Sequence, residues 1–328
     1  MLNTDALDVP PNSNDSFLWA DFAEMRALIH PDRSFSQTDL EGIASRRKGM
    51  LEKNDDEFLE NNEQDVYRPT KRIFNVNQRW KEIADSVDRR QIDFGKNYPF
   101  YLSQDKDTIQ LKKVNYRNSK NPYIALLIAS SLRLVNSKRW DEITGAFEKF
   151  SLQIFTCLMP SGSEIRATWA HGGYEAVYKG TLYEKMLSIS RDIRAIPTFQ
   201  LRDFKENNTG DGKIDLIAWH HMNDSRDNIP IAFAQCGCSK DEWVFKQLEA
   251  SPSKLGSKVV VGHPWATYYF LPLDLRWPDG DWAYKFEIGQ AIMVDRLRLL
   301  RFVSQYKLYR KLPEMPFVSE VIDFRYSS

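Results

Sequence analysis

The chain has 328 residues with equal numbers of basic and acidic side chains, 45 of each, and 42% of its residues are hydrophobic. This length suits one large or two ordinary domains, and this apolar fraction is sufficient for a hydrophobic core. No run approaches the roughly 18 apolar residues of a membrane span, the N-terminus lacks a signal-peptide pattern, and the cysteines are too few for a disulfide framework or a four-ligand zinc site. We therefore expect a soluble, cytoplasmic protein without membrane contact.

The first part of the chain is expected to be mainly helical. Residues 1–16 contain two adjacent prolines and several small polar residues, which is typical of a flexible lead-in. Apolar residues at helical spacing then predict helices over 17–31 and 38–60. An alternating stretch over 98–114 predicts a hairpin that turns at 104–107.

Two further helices are predicted before the character of the sequence changes. Pro122 suits the first turn of a helix, and the apolar residues after it form the core side. A second helix is expected over 138–158, where aromatic and aliphatic residues recur at helical spacing. Because Pro160 and Gly162 end this helix, we predict a mainly helical N-terminal region over 1–165.

The remaining residues, 166–328, are expected to form a separate domain. The nearly continuous apolar run 229–236 is typical of a strand covered on both faces. The fold class is therefore α+β or α/β, with a helical N-terminal region followed by a mixed sheet flanked by helices. The predicted elements of this domain are, in order, a helix over 178–194, strands over 213–219 and 229–236, a helix over 241–250, strands over 258–262 and 268–273, and a helix over 286–308.

Two polar residues stand at the ends of the predicted apolar strands. Asp215 lies just inside a strand that follows a glycine-containing turn, 210–212, and Gln235 closes the next apolar run. An acidic side chain inside an apolar strand costs on the order of several kcal/mol unless a cation or a donor compensates it. If a third group from a preceding helix joins them, their oxygens suit Mg²⁺, which completes its octahedron with water and phosphate.

These features resemble the PD-(D/E)XK nuclease superfamily of restriction-endonuclease-like proteins, especially its Mrr-like branch with glutamine in the third position. In that family a helix with Glu precedes a strand with Asp and then a strand with Glu or Gln. Here Glu184, Asp215 and Gln235 take those positions. The resemblance covers roughly residues 175–250 and leaves the N-terminal half without a counterpart.

The lysine of this motif is displaced. The family usually has lysine two positions after the Glu or Gln, where this chain has Gly237. The stretch looks like a subgroup in which the lysine has moved onto the following helix, from which its ammonium group can return to the same space. We take Lys246 as the first candidate for this role and Lys240 as the second.

The resemblance implies metal-assisted hydrolysis of phosphodiester bonds in DNA. Mg²⁺ or Mn²⁺ would be held by Glu184, Asp215 and the main-chain carbonyl of Cys236. Gln235 would complete the catalytic set, and Lys246 would orient water or stabilise the charge on the phosphate. The expected protein is an endonuclease of a bacterial restriction or antiviral defence system, working beside an ATPase or helicase subunit encoded nearby. A homo-oligomer is an open alternative.

The last part of the chain contains a candidate DNA-binding surface. Residues 1–66 carry 15 acidic and 6 basic side chains, which leaves 30 acidic and 39 basic ones for the rest of the chain. In the predicted basic helix, 286–311, Arg296, Arg298 and Arg301 are expected to face outward and to contact phosphates. The alternative is a solvated helix face without a ligand.

Each candidate also has a structural interpretation that the sequence leaves open. Asp215 could only close the preceding turn, and Glu184 could be a solvated helix residue, with Glu175 in its role. Gln235 could be a satisfied core amide, and Lys246 a surface lysine. The alternative functions are an inactive DNA-binding or assembly subunit with the same fold, and a regulatory protein whose acidic leader contacts another subunit.

Overall fold

The chain forms two compact units, each of which includes segments that are distant in sequence. In this computed structural model the described residues are 1–55, 76–113, 120–169, 177–210 and 212–326. The first unit comprises Met1–Asn118, Arg276–Asp281 and Ser319–Ser328, and the second comprises Ser119–Leu275 and Trp282–Val318. The boundary that was expected after residue 165 lies inside the second unit, which also contains the two helices predicted before it.

The first unit combines helices with a small antiparallel sheet. Its helices are α1 (Thr4–Leu7), α2 (Ser16–Ile29), α3 (Gln37–Asp55) and α4 (Val76–Phe94), and its strands are β1 (Ser34–Ser36), β2 (Phe100–Leu102) and β3 (Thr108–Leu111). Strand β3 pairs antiparallel with both β1 and β2. The predicted hairpin and the first two predicted helices are thereby confirmed; the last residues of the second helix, 56–60, lie outside the described part.

Helix α2 is surrounded by protein, because every residue from Ser16 to Ile29 is buried. Its charged residues are consequently paired: Arg90 of α4 binds Glu24 at 2.7 Å, and both side chains are buried. Residues 1–16, which were expected to be a flexible lead-in, instead contain α1. Leu7 is fully buried, and the Asp8 carboxylate forms an ion pair with α2 at 2.6 Å.

The second unit contains most of the strands. Its helices are α5 (Pro122–Ser130), α6 (Trp140–Leu158), α7 (Leu182–Asp192), α8 (Trp243–Lys246), α9 (Pro252–Leu255) and α10 (Arg296–Gln305), and α11 (Pro316–Asp323) follows near the end of the chain. Its strands are β4 (Glu164–Ala167), β5 (Ile196–Pro197), β6 (Leu216–Trp219), β7 (Ile231–Cys236), β8 (Val259–Val260), β9 (Ala266–Phe270) and β10 (Ile292–Val294).

Five of these strands form one mixed sheet in the order β10-β9-β7-β6-β4. Strands β4, β6 and β7 pair antiparallel, whereas β7, β9 and β10 pair parallel. All of β6 and the first five residues of β7 are buried, which explains why both strands are apolar runs. The fold is mixed α+β, with helices at the N-terminus and a five-stranded mixed sheet flanked by helices, as predicted.

The C-terminal part differs from the single helix predicted over 286–308. Ile292–Val294 form strand β10, because these apolar residues extend the sheet by pairing with β9. The helix begins only at Arg296, where the Asp295 side chain caps it by accepting the Arg298 N–H at 3.1 Å. Asp295 is therefore the N-cap of the observed helix, and it lies inside the range 286–308 over which a single helix was predicted.

Helix α4 and strand β4 were not predicted from the sequence. Helix α4 is polar on average, and its buried apolar side chains lie on one face. Strand β4 is a short edge strand without a buried side chain, so its pattern does not alternate. In the part of the chain that the structure describes, no helix combines the length and the apolar character needed to cross a bilayer.

Candidate active site

Asp215 lies directly before β6 and is 7% exposed. Its backbone N–H donates to the Ala234 carbonyl at 3.0 Å, which continues the pairing of β6 with β7. Its carboxylate Oδ2 accepts the backbone N–H of Cys236 at 2.6 Å. This bond compensates the burial of a charged group and aims the carboxylate at the last residue of β7.

The turn that leads into β6 packs closely against α7. Gly212 has a φ of +71°, a left-handed conformation that favours glycine. A Cβ atom there would lie 3.0 Å from Met186 Sδ and 3.2 Å from Leu182 Cδ1. The Lys185 ammonium group also donates to the Thr209 carbonyl at 2.5 Å. The first turns of α7 therefore hold the turn in place.

In the side chain of Gln235 on β7, the amide nitrogen has a hydrogen-bond partner, whereas the amide oxygen has none among the described residues. The residue is 7% exposed, and its Nε2 donates to Glu249 Oε2 at 2.8 Å. Since a carboxylate only accepts, this bond identifies which end of the carboxamide is the nitrogen. The Oε1 is buried and has no hydrogen-bond partner among the residues that the structure describes. An unpaired buried acceptor costs about 1–3 kcal/mol, so this oxygen suits a bound cation or water.

Glu249 belongs to the same site, although it was not predicted from the sequence. Its Oε2 accepts from Gln235, and its Oε1 lies 3.5 Å from Lys213 Nζ. It thereby connects β7 with the turn that precedes β6. Glu249 stands between two very short helices, α8 and α9, so neither a helical pattern nor a motif spacing indicates its role.

Helix α6 brings a second carboxylate to the end of β7. Burial raises the pKa of the Cys236 thiol well above its ordinary value, and the negative charges of Asp215 and Glu148 raise it further. Burial, Glu148 and Asp215 also raise the pKa of Cys238. The charges of the two carboxylates therefore act on the same pair of thiols, which stay neutral at physiological pH. One carboxylate oxygen of Glu148 is shielded from solvent.

Glu148 is not predicted from the sequence, because only the apolar positions of α6 follow a recognisable pattern. The helix buries Ala146, Phe147 and Phe150 on both sides of this glutamate in sequence. Because Phe147 and Phe150 are three residues apart, Glu148 and Lys149 between them follow the ordinary pattern of an amphipathic helix. No local signal in the sequence therefore distinguishes Glu148.

Glu184, the predicted helix carboxylate, has a local structural role instead. Its Oε2 accepts the Thr181 N–H at 2.7 Å and the Thr181 hydroxyl at 3.0 Å, which completes a capping box at the start of α7. Leu182 and Met186 face the turn before β6, and at 100° per residue Glu184 lies on the opposite side of the helix. The structure therefore does not bring Glu184 to Asp215. The alternative, Glu175, lies outside the described residues.

The two candidate lysines differ in their surroundings. Lys246 Nζ lies 2.6 Å from Glu242 Oε2, and its positive charge opposes the increase of the Cys238 pKa that burial and nearby carboxylates cause. Lys246 is therefore within electrostatic reach of the site. Lys240 pairs with the adjacent, exposed Asp241.

Two of the three arginines that were expected to contact DNA are engaged inside the second unit. Arg296 is fully buried, and its Nε donates to the Pro272 carbonyl at 2.8 Å. Arg298 is half-buried and donates to the Met293 carbonyl at 2.6 Å. Only Arg301 of the three is exposed. The expectation fails for Arg296 because the helix begins at this residue, so its side chain turns into the protein rather than outward.

The donor set at the end of β7 fits a hard divalent cation. Among the described residues, no three His, Cys, Asp or Glu side chains are gathered as ligands of one metal ion. Mg²⁺ requires fewer protein ligands, since it is commonly held by one or two carboxylates and keeps several waters. The oxygens available for such an ion are the Asp215 carboxylate and the buried Oε1 of Gln235, and Glu148 on α6 is the nearby helix carboxylate whose charge reaches Cys236. Participation of the Cys236 carbonyl stays a prediction.

Comparison of the chain with protein-family models, with curated protein sequences and with solved structures finds no significant match. The interpretation of the site consequently depends on its own residues and geometry.

Proposed function

We propose that the protein is a divalent-metal-dependent DNA endonuclease with a PD-(D/E)XK-type site, in which Glu148 takes the position that Glu184 was expected to fill. One observation carries the proposal: the buried Asp215 carboxylate is bonded to the last residue of β7, directly after Gln235, whose Oε1 is buried and has no hydrogen-bond partner among the described residues. The charge of Glu148 on α6 acts on the same residue, Cys236. The order of the elements supports it, because a helix with Glu, α6, precedes β6 with Asp, which precedes β7 with Gln.

The carboxylates of Asp215 and Glu148 would hold Mg²⁺ or Mn²⁺, with Gln235 Oε1 as a further oxygen. A metal ion bound there supplies Lewis acidity and lowers the pKa of a coordinated water. Two of these donors are fixed in advance, since the Cys236 N–H holds Asp215 and the Glu249 carboxylate holds Gln235. Such positioning by neighbouring hydrogen bonds is what a precise site requires.

In this proposal Lys246 would stabilise the phosphate. In hydrolysis the oxygen of one water joins phosphorus, the bond from phosphorus to one bridging oxygen breaks, and the leaving oxygen takes up a proton. Negative charge increases on the phosphoryl oxygens during this step, and a nearby cation stabilises it. The present partner of Lys246, Glu242, has a side chain that is 61% exposed. Such a pair is worth only about 0–1 kcal/mol, so a phosphate can replace it.

The biological context of the proposal comes from the resemblance. It comprises a bacterial restriction or antiviral defence system in the cytoplasm, DNA as the substrate, and a separate ATPase or helicase subunit as the partner. Arg301, which is exposed on α10, is the remaining candidate on that helix for a sequence-independent phosphate contact.

The decisive experiment is cleavage of supercoiled plasmid by the purified full chain with Mg²⁺ or Mn²⁺, alone and with the products of neighbouring genes. We expect metal-dependent nicking that Asp215→Asn and Glu148→Gln reduce on the order of 100-fold. The matched control, Glu184→Gln, should cleave like the wild type, because this carboxylate only caps α7. Loss in Glu184→Gln with retention in Glu148→Gln would restore the site predicted from the sequence.

A second candidate function is an inactive DNA-binding or assembly subunit. The observation in its favour is Gly237, which stands where the family usually has lysine. In that case the protein binds plasmid DNA equally with and without metal and cleaves it under none of the conditions. That result would reject the nuclease proposal.

A further inference from the structure

Gly237 lies against the hydroxyl group of a buried tyrosine. A Cβ atom on Gly237 would stand 2.1 Å from Tyr269 Oη and 3.0 Å from its Cζ. The glycine backbone is also fixed, since its N–H donates to the Phe270 carbonyl at 3.0 Å. A larger residue at this position therefore requires Tyr269 to move, and the Tyr269 hydroxyl occupies the space where a lysine side chain would begin.

Tyr269 and Gln235 face the same side of the sheet. They are direct partners in the parallel pairing of β7 with β9, and paired residues on neighbouring strands project from the same face. Tyr269 is fully buried, and its hydroxyl has no hydrogen-bond partner among the described residues. The Oε1 of Gln235 is likewise buried and has no hydrogen-bond partner among the described residues. Two unpaired polar groups on one face of adjacent strands indicate a small polar ligand, since buried polar groups in proteins are otherwise paired.

The chemistry of the two groups suits a water molecule. Gln235 Oε1 can only accept a hydrogen bond, whereas the phenol can donate one. Burial, followed by Cys238, Cys236, Asp215 and Glu249, raises the pKa of Tyr269, so the hydroxyl keeps its proton at neutral pH. A water molecule that accepts from Tyr269 and donates to Gln235 keeps one lone pair and one hydrogen for other contacts.

We propose that the Tyr269 hydroxyl and Gln235 Oε1 together hold one ordered water beside Asp215, and that Tyr269 thereby positions water in the place from which the motif lysine is missing. This role depends on the proposed nuclease function, but the water site itself does not. Gly237 is the residue that makes room for the hydroxyl. Tyr269 acts by orienting the water and transfers no proton.

The water site is tested without any nuclease assay, by a double-mutant cycle of Tyr269→Phe and Gln235→Met in urea unfolding. Both substitutions keep the approximate volume and remove only the polar group. A shared water makes the effects of the two substitutions non-additive, by about fivefold or more in the unfolding equilibrium constant. The matched control is Tyr268→Phe combined with Gln235→Met, because Tyr268 projects from the opposite face and packs on Phe155. Additive effects in both cycles would overturn the proposal.

The positioning role is tested by cleavage kinetics. Tyr269→Phe should reduce kcat about 10-fold to 100-fold while the KM for DNA and the affinity for Mn²⁺ stay unchanged, because the tyrosine contacts neither DNA nor metal. Unchanged kcat together with a non-additive cycle would retain the water and reject its role in catalysis. Failure of the wild type to cleave at all would reject the nuclease function and the positioning role, and the unfolding cycle would still decide the water site.

Discussion

The carboxamide of Gln235 donates from Nε2 to Oε2 of Glu249 at 2.8 Å, and this bond determines which way the amide faces. Because Glu249 holds the nitrogen, the oxygen is the end of the amide that is buried without a hydrogen-bond partner among the described residues. Gln235 is therefore not a fully satisfied core amide, because its nitrogen is hydrogen-bonded and its oxygen is not, among the described residues. Glu249 thus has a predictable influence on stability and on the site.

Replacement of Glu249 by alanine should destabilise the protein. The substitution leaves the buried Nε2 of Gln235 without its acceptor, which costs about 1–3 kcal/mol in the free energy of unfolding. It also frees the carboxamide to rotate, so the rate of plasmid cleavage should decrease. Urea unfolding of Glu249→Ala and of the control Glu242→Ala measures the first effect. The control removes an exposed partner of Lys246 and should change stability by less than about 1 kcal/mol; equal effects would contradict the role of Glu249.

The close approach of the Tyr269 hydroxyl to Gly237 leads to a second prediction. Gly237→Ala forces the Tyr269 ring to move within a buried environment and should destabilise by about 1–3 kcal/mol. Adding Tyr269→Phe removes the atom closest to the new methyl group and should recover part of this loss. Thermal unfolding of the single and double variants shows whether it does. Gly42→Ala is the control, because its nearest neighbour is a flexible arginine tip at 3.9 Å and alanine favours the helix.

Substitution of the arginines of α10 should show that Arg296 contributes to stability, whereas Arg301 contributes little to it. Arg296→Ala removes a fully buried side chain and leaves the Pro272 carbonyl without its donor, so the free energy of unfolding should decrease by about 2–4 kcal/mol. Arg301→Ala, on the exposed side, should change it by at most about 0.5 kcal/mol. Chemical denaturation compares the two.

If Arg301 contacts a phosphate, Arg301→Ala should weaken DNA binding equally for all sequences and reduce the slope of log K against log salt by about 1. Fluorescence anisotropy at several salt concentrations measures this slope. An unchanged slope would exclude Arg301 from the interface.

The capping box of α7 predicts a pH dependence that is separate from catalysis. The Thr181 N–H, and then the Thr181 hydroxyl, lower the pKa of Glu184 from its ordinary value of 4.5. A carboxyl with a lowered pKa stabilises the folded state above its unfolded pKa, and this contribution is lost as the pH falls through the folded pKa. The Tm of Glu184→Gln should therefore lie below that of the wild type at pH 7, and the gap should narrow below pH 4.5. An equal gap at pH 3 and pH 7 would contradict the assignment.

Local sequence signals predicted much of the fold. The hairpin β2–β3, the helix that starts at Pro122 and the buried strands β6 and β7 depend on periodicity, proline position and apolar runs, which act over a few residues. Where two local signals competed, the prediction was less accurate. The apolar pattern of 286–308 suggested one helix, but the cap at Asp295 divides it into a strand and a helix.

The sequence by itself indicated that Asp215 stands at the start of one apolar strand and Gln235 near the end of the next one along the chain, because apolar runs and the polar residues at their ends are visible in the order of the letters. Only the tertiary structure showed which helix carboxylate is turned away from these residues and which one acts on them. Glu184 is nearer to these strands in sequence, but its capping bonds and its side of α7 direct it to solvent, whereas α6 packs on β7 and carries Glu148 to the thiols beside Asp215. The side of a helix that meets a sheet depends on packing between distant segments, which no local spacing encodes.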